Sequence, residues 1–415
     1  MAHLIYLRND LRILDHDIFH KLQHEEIIPL YIFDENTLKN DVLNQPRLGD
    51  FRKKLLLEGL QSLRKELQER GGNLMIATGS PKDVIAEIHK KTPLQGIHFY
   101  QHDAPEELDR TQEIESLNIP MFSYAGDYLY HPEDLPFSLE KIPFVFTAFR
   151  KKVEKYAEVR PFFPTPSKFS VPSIIDDWGE IPAIPNLKID ERSAFPYLGG
   201  TRGALDRLEH YFWNTDLLAE YKETRNGMTG VDYSSKFSPW LAQGSISARF
   251  IFHQVKKYEK LRQANESTYW LIFELIWRDF FRFTAASEGG KFFKIPRNYV
   301  PKTSTAFEKW KEGKTGNAFI DAAMIELRST GYTSNRARQN VASYLVHDLN
   351  QPWYAGALWF ESVLIDYDVY SNYGNWTYVA GVGHDPRSRK FNIQRQADMY
   401  DADETFRNTW LNGEF

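Results

Sequence analysis

The sequence contains no cysteine among its 415 residues. Disulfides, iron–sulfur clusters and thiolate zinc sites are therefore excluded, and this composition favours a cytoplasmic location. No G-x-G-x-x-G follows the first strand-like run, and no G-x-x-x-x-G-K-[ST] occurs in the chain. A standard dinucleotide or P-loop phosphate site is therefore not expected in the N-terminal region.

Long apolar runs and a dominant charge are also missing. No run is long enough to span a bilayer, and MAHLIYLRNDLR at the N-terminus carries charges where a signal peptide needs an apolar segment, so no membrane partner is expected. The 51 Lys and Arg against 56 Asp and Glu give a net charge of −5. Any polyanionic partner must therefore be held by a local basic patch.

Aromatic residues, in contrast, are abundant. They make up 15% of the chain, and nine of the ten tryptophans lie after residue 200. This asymmetry indicates that the functional site lies in the C-terminal half.

Short apolar runs alternate with amphipathic segments over the first 125 residues. The runs that we interpret as buried strands are 3–7, 27–33, 73–78, 96–100 and 120–124, and a helical pattern covers 45–70. This alternation predicts a doubly wound parallel sheet with helices on both faces, which usually binds a ligand at the carboxyl ends of its strands.

The texture changes beyond this region. Prolines punctuate residues 160–198, which predicts a long surface connector, and the pattern after about residue 200 is helical throughout. We therefore expect an α/β domain at 1–130, a connector at 131–199 and an all-α domain at 200–415.

Three histidines, His16, His20 and His24, are spaced at i, i+4 and i+8 on a predicted helix. They suit either metal ligands or a polar helix face. Without cysteine or an H-E-x-x-H sequence, no metal is expected.

The segment from Tyr233 to Pro239 predicts the start of a helix, with Ser238 as its cap and Pro239 in its first turn. Hydroxyl groups, Lys236 and free backbone amides would converge there as a phosphate cradle. A capped helix with a solvated lysine is an equally good interpretation.

The helix from Trp270 to Phe283 is apolar nearly all round and should be buried. Glu274, Trp277 and Arg278 fall on one face of it. The two charges predict either an i, i+4 ion pair or a pocket wall in which Trp277 stacks on a flat ring.

Further on, residues 333–339 open another helix. Asp366 and Asp368, two positions apart, suit either a D-x-D metal clamp of a nucleotide-sugar transferase or a helix-capping turn. The residue types alone leave both interpretations open.

Several long segments together resemble the photolyase/cryptochrome flavoproteins, most closely the DASH-type cryptochromes. The matching motifs are GGTRGALDRL (199–208), TRNGMTGVDYSSKFSPWLA (224–242), ELIWRDFFRF (274–283), SNRARQNVAS (334–343) and DYDVYSNYGNWTYVAGVG (366–383). The resemblance runs from Tyr6 to near Trp410 and implies an α/β N-terminal domain followed by an all-α FAD-binding domain. The sugar-transferase interpretation explains none of the aromatic motifs and is set aside.

The resemblance also implies how FAD is held. Its phosphates and ribityl chain would contact Tyr221, Ser234, Ser235, Lys236, Phe237 and Ser238. The flavin would be lined by Glu274 and Arg278 at the pocket floor, by Asn335, by Arg338 paired with Asp366, by Asp368, and by Asn372 at N5. A neutral amide at Asn372 bonds to either protonation state of N5.

The tryptophan excess acquires a role through the same resemblance, because family members photoreduce FAD through three tryptophans. Trp376 matches the one nearest the flavin, and Trp353 matches the middle one. Val300 occupies the position of the outer one, so Tyr299 beside it or another aromatic residue would end the route, or photoreduction would be weakened.

A flipped pyrimidine dimer would lie over the flavin between Trp277 and Tyr378, with Gln339 and Glu274 beside it. Roles in the reaction itself are thus implied for Trp376, Trp353, Asn372 and Glu274. The basic residues expected to meet phosphates are Arg225, Arg336, Arg387, Arg389, Lys390 and Arg395, unless they pair with acids such as Asp385 and Asp398.

The expected function is blue-light repair of cyclobutane pyrimidine dimers, preferably in single-stranded DNA, by a monomer. TSNRARQ lacks the histidine of (6-4) photolyases, and no tail follows the last motif, which favours repair over signalling. The alternative is a blue-light photoreceptor that signals to a protein partner. An antenna chromophore, methenyltetrahydrofolate or a deazaflavin, is open in identity.

Overall fold

The computed structural model describes residues 2–296, 299–384 and 390–412. The N-terminal domain is built on a five-stranded parallel sheet in the order β3-β2-β1-β4-β5. The strands are β1 (Ala2–Leu7), β2 (Ile27–Phe33), β3 (Met75–Thr78), β4 (Leu94–Tyr100) and β5 (Met121–Tyr124). All five strands predicted from the apolar runs are present, with starts that differ by at most two residues.

Eighteen α-helices lie in the described part of the chain. Those before residue 160 are α1 (Asp17–Lys21), α2 (Glu35–Leu38), α3 (Asp50–Gln68), α4 (Pro81–Lys91), α5 (Pro105–Glu115) and α6 (Phe146–Tyr156). The helical domain contains α7 (Gly200–Leu208), α8 (Tyr221–Thr224), α9 (Ser238–Gln243), α10 (Ala248–Leu261), α11 (Glu266–Glu288), α12 (Thr305–Glu312), α13 (Ala318–Thr330), α14 (Asn335–Ser343), α15 (Trp353–Val363), α16 (Val369–Val379), α17 (Ile393–Tyr400) and α18 (Thr405–Leu411).

Alternate residues of β1 explain the two helical layers. Ile5 and Leu7 pack into one apolar core together with the buried face of α3, whereas Leu4 and Tyr6 pack into a second core with Ile85 of α4. A strand buried on both faces needs helices on both sides. The doubly wound α/β fold expected from the sequence is confirmed.

Helix α11 is the centre of the helical domain. Asn265 accepts hydrogen bonds at its N-terminus in a capping box with Thr268, and the helix runs for 23 residues. The predicted buried helix 270–283 lies wholly within it. A helix that is apolar nearly all round is accommodated because other helices cover most of its surface.

Residues 157–199 contain no helix or strand and form the expected long connector. Phe169 anchors it in the core of the α/β domain, and Arg64 donates to the carbonyl of Trp178 at 3.1 Å. The expected connector at 131–199 also contains α6, which belongs with the helical core. Its Phe149 ring lies 5.3 Å from that of Phe280.

The loop after β1 joins the two domains. Arg12 donates to the carbonyl of Gly244 at 3.0 Å, and Arg249 donates through Nε to Asp15 at 3.0 Å. Gly244 has φ +75°, and a Cβ there would collide with the backbone carbonyl of Asn9. Buried charges of both domains thus neutralise each other at this junction.

The three spaced histidines do not share a helix, because α1 ends at Lys21. His16 lies at the cap position of α1, and its Nε2 lies 3.1 Å from a carboxylate oxygen of Asp10. No cluster of three or more potential metal ligands occurs in the described part of the chain. Among the described helices, none is long and apolar enough to cross a bilayer.

Candidate functional site

The turn from Tyr233 to Ser238 lies directly before α9. The helix starts one residue earlier than predicted, so Phe237 rather than Ser238 occupies the cap position. The Ser238 hydroxyl instead donates to Oδ2 of Asp366 at 2.6 Å. The serine predicted as a local cap therefore connects the turn to a distant loop.

Arg207 of α7 holds this turn through hydrogen bonds to its backbone carbonyls. It is fully buried and donates to the carbonyls of Ser234 at 2.8 Å and Ser235 at 3.0 Å, and it pairs with Asp232 at 2.6 Å. Arg207 belongs to the motif 199–208, but no role was predicted for it from the sequence. The sequence feature that indicates its role is the position of this arginine on the apolar face of a short amphipathic helix.

Lys236 is the most unusual member of the turn. Its backbone has φ +62°, its side chain is 2% exposed, and its Nζ has no hydrogen-bond partner among the described residues. Nζ lies 3.0 Å from the centre of the Tyr233 ring. Burial lowers the pKa of Lys236 well below its ordinary value. A buried amine without a hydrogen-bond partner, beside several hydroxyl groups, fits a phosphate-bearing cofactor.

A cavity of about 110 Å³ lies between α14 and α16. Eight of the residues predicted for cofactor or substrate line it: Asn335, Arg338, Gln339, Asp366, Asp368, Asn372, Trp376 and Tyr378. The fold therefore brings residues 335–339 and 366–378 to one place.

Asp366 is the most buried acid of this cavity. Arg338 donates to its Oδ2 at 2.9 Å, as the resemblance implies, while Oδ1 is buried without a hydrogen-bond partner in the described part of the chain. An unsatisfied carboxylate oxygen is costly unless a donor reaches it. The imide edge of a flavin is a donor of that kind, so the cavity fits the ring of FAD.

Asp368 is held by a second arginine that the sequence interpretation did not assign. Arg282 donates to its Oδ2 at 2.7 Å and also pairs with Asp127 at 2.7 Å, and the amide of Ser371 donates to Oδ1. Burial raises the pKa of Asp368, but the nearby guanidinium groups and the Ser371 bonds outweigh it and lower the pKa to about 2. Asp368 is thus an N-cap of α16, which is the capping alternative left open by its spacing.

Asn372 and Trp376 lie one turn apart on α16. The Asn372 side chain donates to the carbonyl of Ala357 at 3.0 Å, which fixes the amide beside the cavity. Trp376 is 2% exposed and lies over Gly356, where a Cβ would collide with the indole. Trp353 precedes Gly356 by one turn of α15, so the two tryptophans lie near each other.

Tyr299 lies at the end of a chain of aromatic rings. Its ring is 6.3 Å from that of Tyr354, which lies 5.9 Å from Trp353. Tyr299 is 45% exposed. A continuous aromatic path therefore leads from Trp353 to the surface where Val300 replaces the outer tryptophan.

Trp277 has one face already occupied. Phe146 stacks on it with ring centres 3.6 Å apart, and Tyr378 meets it edge to face at 6.2 Å. Tyr378 and Gln339 also line the cavity described above. The aromatic pair predicted for a flipped base is therefore brought into contact, with Tyr378 on the cavity lining and Trp277 behind it.

Glu274 and Arg278 do not pair with each other, which excludes the ion-pair alternative left open by their spacing. Glu274 pairs with Arg225, whereas Arg278 donates to Oδ1 of Asp127 at 2.8 Å. Their side chains diverge because each meets a partner from another element. Neither residue lines the 110 Å³ cavity, and Tyr221 is buried in the helical core.

Several of the expected phosphate contacts already have partners. Besides Arg225, Lys390 pairs with Asp348 at 3.0 Å, and Arg336 donates to Asn226 at 3.0 Å. The exposed Arg395 has no ion pair in the described part of the chain. Arg387 and Arg389 lie outside the described residues, as does Asp385.

A second, larger cavity of about 980 Å³ opens at the carboxyl ends of β1 and β2, between the domains. Its charged lining is internally paired: Arg8 with Glu107 at 2.7 Å and Arg47 with Glu361 at 3.1 Å. This is where a doubly wound sheet binds ligands. The sequence predicted the location but not these residues.

Comparison with known proteins agrees with this geometry. Residues 3–167 match the family model described as DNA photolyase, and residues 270–413 match the model described as the FAD binding domain of DNA photolyase. The chain therefore belongs to the photolyase/cryptochrome family, in its cryptochrome DASH branch. FAD, the cofactor expected from the sequence, is confirmed by the second model.

The individual relatives are similar over nearly the whole chain. Cryptochrome DASH of Danio rerio is 45% identical over 98% of this chain and 82% of its own length. Cryptochrome DASH, chloroplastic/mitochondrial, of Arabidopsis thaliana is 42% identical over 98% of this chain and 75% of its own length. The crystal structure of a Synechocystis cryptochrome matches with a TM-score of 0.95 at 43% identity, covering 99% of this chain and 88% of that one.

Proposed function

We propose that the protein repairs cyclobutane pyrimidine dimers, preferably in single-stranded DNA, under blue light. The observation that carries the proposal is the shared cavity. Tyr378 and Gln339 line the same space as Asp366 and Asn372, and the Trp277 ring contacts that of Tyr378. A flipped dimer would therefore stand on aromatic surface directly beside the flavin.

Bound, reduced FAD supplies the light-driven electron that splits the dimer, and it receives the electron back. The protein holds the two partners. Arg207 holds the turn on which Lys236 would meet the phosphates, Asp366 would accept from the imide edge of the ring, and Asn372 would bond to N5. Asp368, kept ionised by Arg282, holds the start of α16 and thereby Asn372 and Trp376 in place.

Single-strand preference follows from the size of the aromatic surface. Tyr378 offers less area than a tryptophan would, and Phe146 covers one face of Trp277. Less stacking energy is then available to offset unpairing, and this cost is lower in a single strand. Glu274 would not contact the substrate itself but would position Arg225, with which it pairs.

The 980 Å³ cavity is the proposed seat of an antenna chromophore, methenyltetrahydrofolate or a deazaflavin. An absorption spectrum of purified protein tests this, since an antenna adds a near-ultraviolet band to those of the flavin. We further propose a monomer and a cytoplasmic location.

The deciding experiment uses reduced, FAD-loaded protein and ultraviolet-irradiated oligothymidylate under blue light. We expect dimers to be lost in the light and retained in a matched dark sample. Full flavin content together with no loss of dimers would reject repair and favour the photoreceptor alternative.

A further inference from the structure

Helix α6 carries an unpaired basic face beside the proposed lesion cavity. Lys151, Lys152 and Lys155 are all exposed, and no ion pair links them to a carboxylate in the described part of the chain. The acid between them, Glu154, accepts from the Tyr269 hydroxyl at 2.6 Å and lies 3.7 Å from Arg150. Lys152 lies 5.7 Å from the centre of the Phe137 ring and Lys155 lies 4.9 Å from that of Tyr156, but a ring contact does not neutralise a charge. The three lysines therefore form a local positive patch on a chain of net charge −5.

The position of α6 connects this patch to the cavity. Its first residue, Phe146, stacks on Trp277, and its buried face continues through Phe149 and Val153 into the helical core. The lysines therefore lie on the exposed face of a helix whose first residue stacks on Trp277, the partner of the cavity-lining Tyr378. Lys151 and Lys155 are one turn apart, about 6 Å along the axis.

Exposed aromatic rings flank the patch at both ends. Phe144, just before α6, is 51% exposed, and Tyr156, its last residue, is 63% exposed. Cations interleaved with exposed rings are the pattern of surfaces that bind unpaired nucleic acid, because bases stack on the rings while cations meet the phosphates. Paired, stacked bases of a duplex cannot use such rings.

We propose that α6, with Phe144 before it, is a track for the single strand that flanks the lesion. This inference rests on the proposed function, since it takes DNA as the ligand. It adds a surface outside the expected rim, whose Arg225 and Lys390 are already paired with Glu274 and Asp348.

The chain supplies a matched control for the test. Residues 151–155 read KKVEK on α6, and residues 256–260 read KKYEK on α10. On α10, Lys256 pairs with Glu259 at 2.8 Å, and Lys257 lies over the Trp213 ring. The same three charges can therefore be removed from α10, whose aromatic rings contact neither Trp277 nor Phe146 in the described part of the chain.

The experiment compares two FAD-loaded triple variants, Lys151→Gln/Lys152→Gln/Lys155→Gln and Lys256→Gln/Lys257→Gln/Lys260→Gln. Fluorescence anisotropy measures binding of undamaged oligothymidylate over a series of salt concentrations. The α6 variant should bind about tenfold or more weaker at low salt, and its slope of log affinity against log salt should be shallower by about 2. The α10 variant should match the unsubstituted protein.

Equal slopes for the two triple variants, at full flavin content, would overturn the proposal and leave α6 available for an acidic protein instead. A second variant, Phe144→Ala/Tyr156→Ala, keeps all charges. It should weaken binding of the single strand and leave duplex binding unchanged, and equal loss on both would also count against the track. Failure of the unsubstituted protein to clear dimers would reject repair without altering these slopes.

Discussion

Arg282 donates to Asp368 at 2.7 Å and, through its other terminal nitrogen, pairs with Asp127 at 2.7 Å. One buried guanidinium thus joins the segment after β5 to the N-cap residue of α16. Water cannot replace the guanidinium as a partner of either carboxylate, because both side chains are less than 11% exposed. The arrangement makes the flavin site depend on a residue that does not line it.

Replacing Arg282 by methionine should destabilise the protein strongly. Two buried carboxylates would lose their shared partner, and breaking a buried pair costs about 3–5 kcal/mol. Arg202→Met is the control, because the Arg202–Asp206 pair is exposed on α7 and should cost under about 1 kcal/mol. Urea unfolding with parallel flavin absorbance measures both, and equal effects of the two variants would contradict the assignment.

Stability should fall in acid through Asp368. Its pKa is about 2 in the folded protein and 3.8 ordinarily, so the stabilisation is complete above pH 4 and is lost as the pH falls toward 2. The shift corresponds to about 2 kcal/mol. In Asp368→Asn this part of the pH dependence should disappear, which urea midpoints between pH 5 and pH 2.5 would show. An unchanged profile in the variant would contradict the low pKa.

Light-driven reduction of bound flavin should be abolished or greatly slowed in Trp376→Phe while FAD stays bound. Phenylalanine fills the space over Gly356 but does not form a comparable radical. Anaerobic spectra under blue light follow the loss of the oxidised flavin band. Normal photoreduction in this variant would show that electrons enter by another route.

The outer step is expected at Tyr299. Its ring contact with Tyr354 provides the exit that Val300 cannot, so Tyr299→Phe should slow photoreduction. Tyr156→Phe, another exposed tyrosine, is the matched control. Unchanged photoreduction in Tyr299→Phe would exclude it as the terminal donor.

Trp277→Ala should remove the preference for dimer-bearing strands and leave binding of undamaged strands nearly intact. Stacking on one aromatic ring is worth roughly 1–3 kcal/mol, or about fivefold to 150-fold in affinity. Trp213→Ala removes a half-buried tryptophan elsewhere as a control. If dimer preference and repair survive in Trp277→Ala, the cavity is not a lesion site.

The sheet could be predicted because each strand coincides with a short apolar run in the sequence, as in residues 27–33. The partners of buried charges could not. Glu274 and Arg278 are suitably spaced for each other, yet Arg225 and Asp127 reach them from 49 and 151 residues away in the sequence. Helical spacing indicates only partners on the same helix. The roles of Arg282 and Arg207, whose partners lie on other elements, could therefore not be predicted. Ser238 shows the same limit, since its distant acceptor Asp366 competes with local capping.

The junction formed by Arg12, Asp15, Gly244 and Arg249 bears on how such proteins are recombined. A flavin-binding half expressed from residue 200 onward would present Arg249 to solvent without its acid, and the α/β half would keep a buried Asp15 without its base. Exchange of the N-terminal half between relatives would therefore require residues 9–15 and 244–249 to travel together. The two halves therefore depend on each other at this junction, although each has its own architecture.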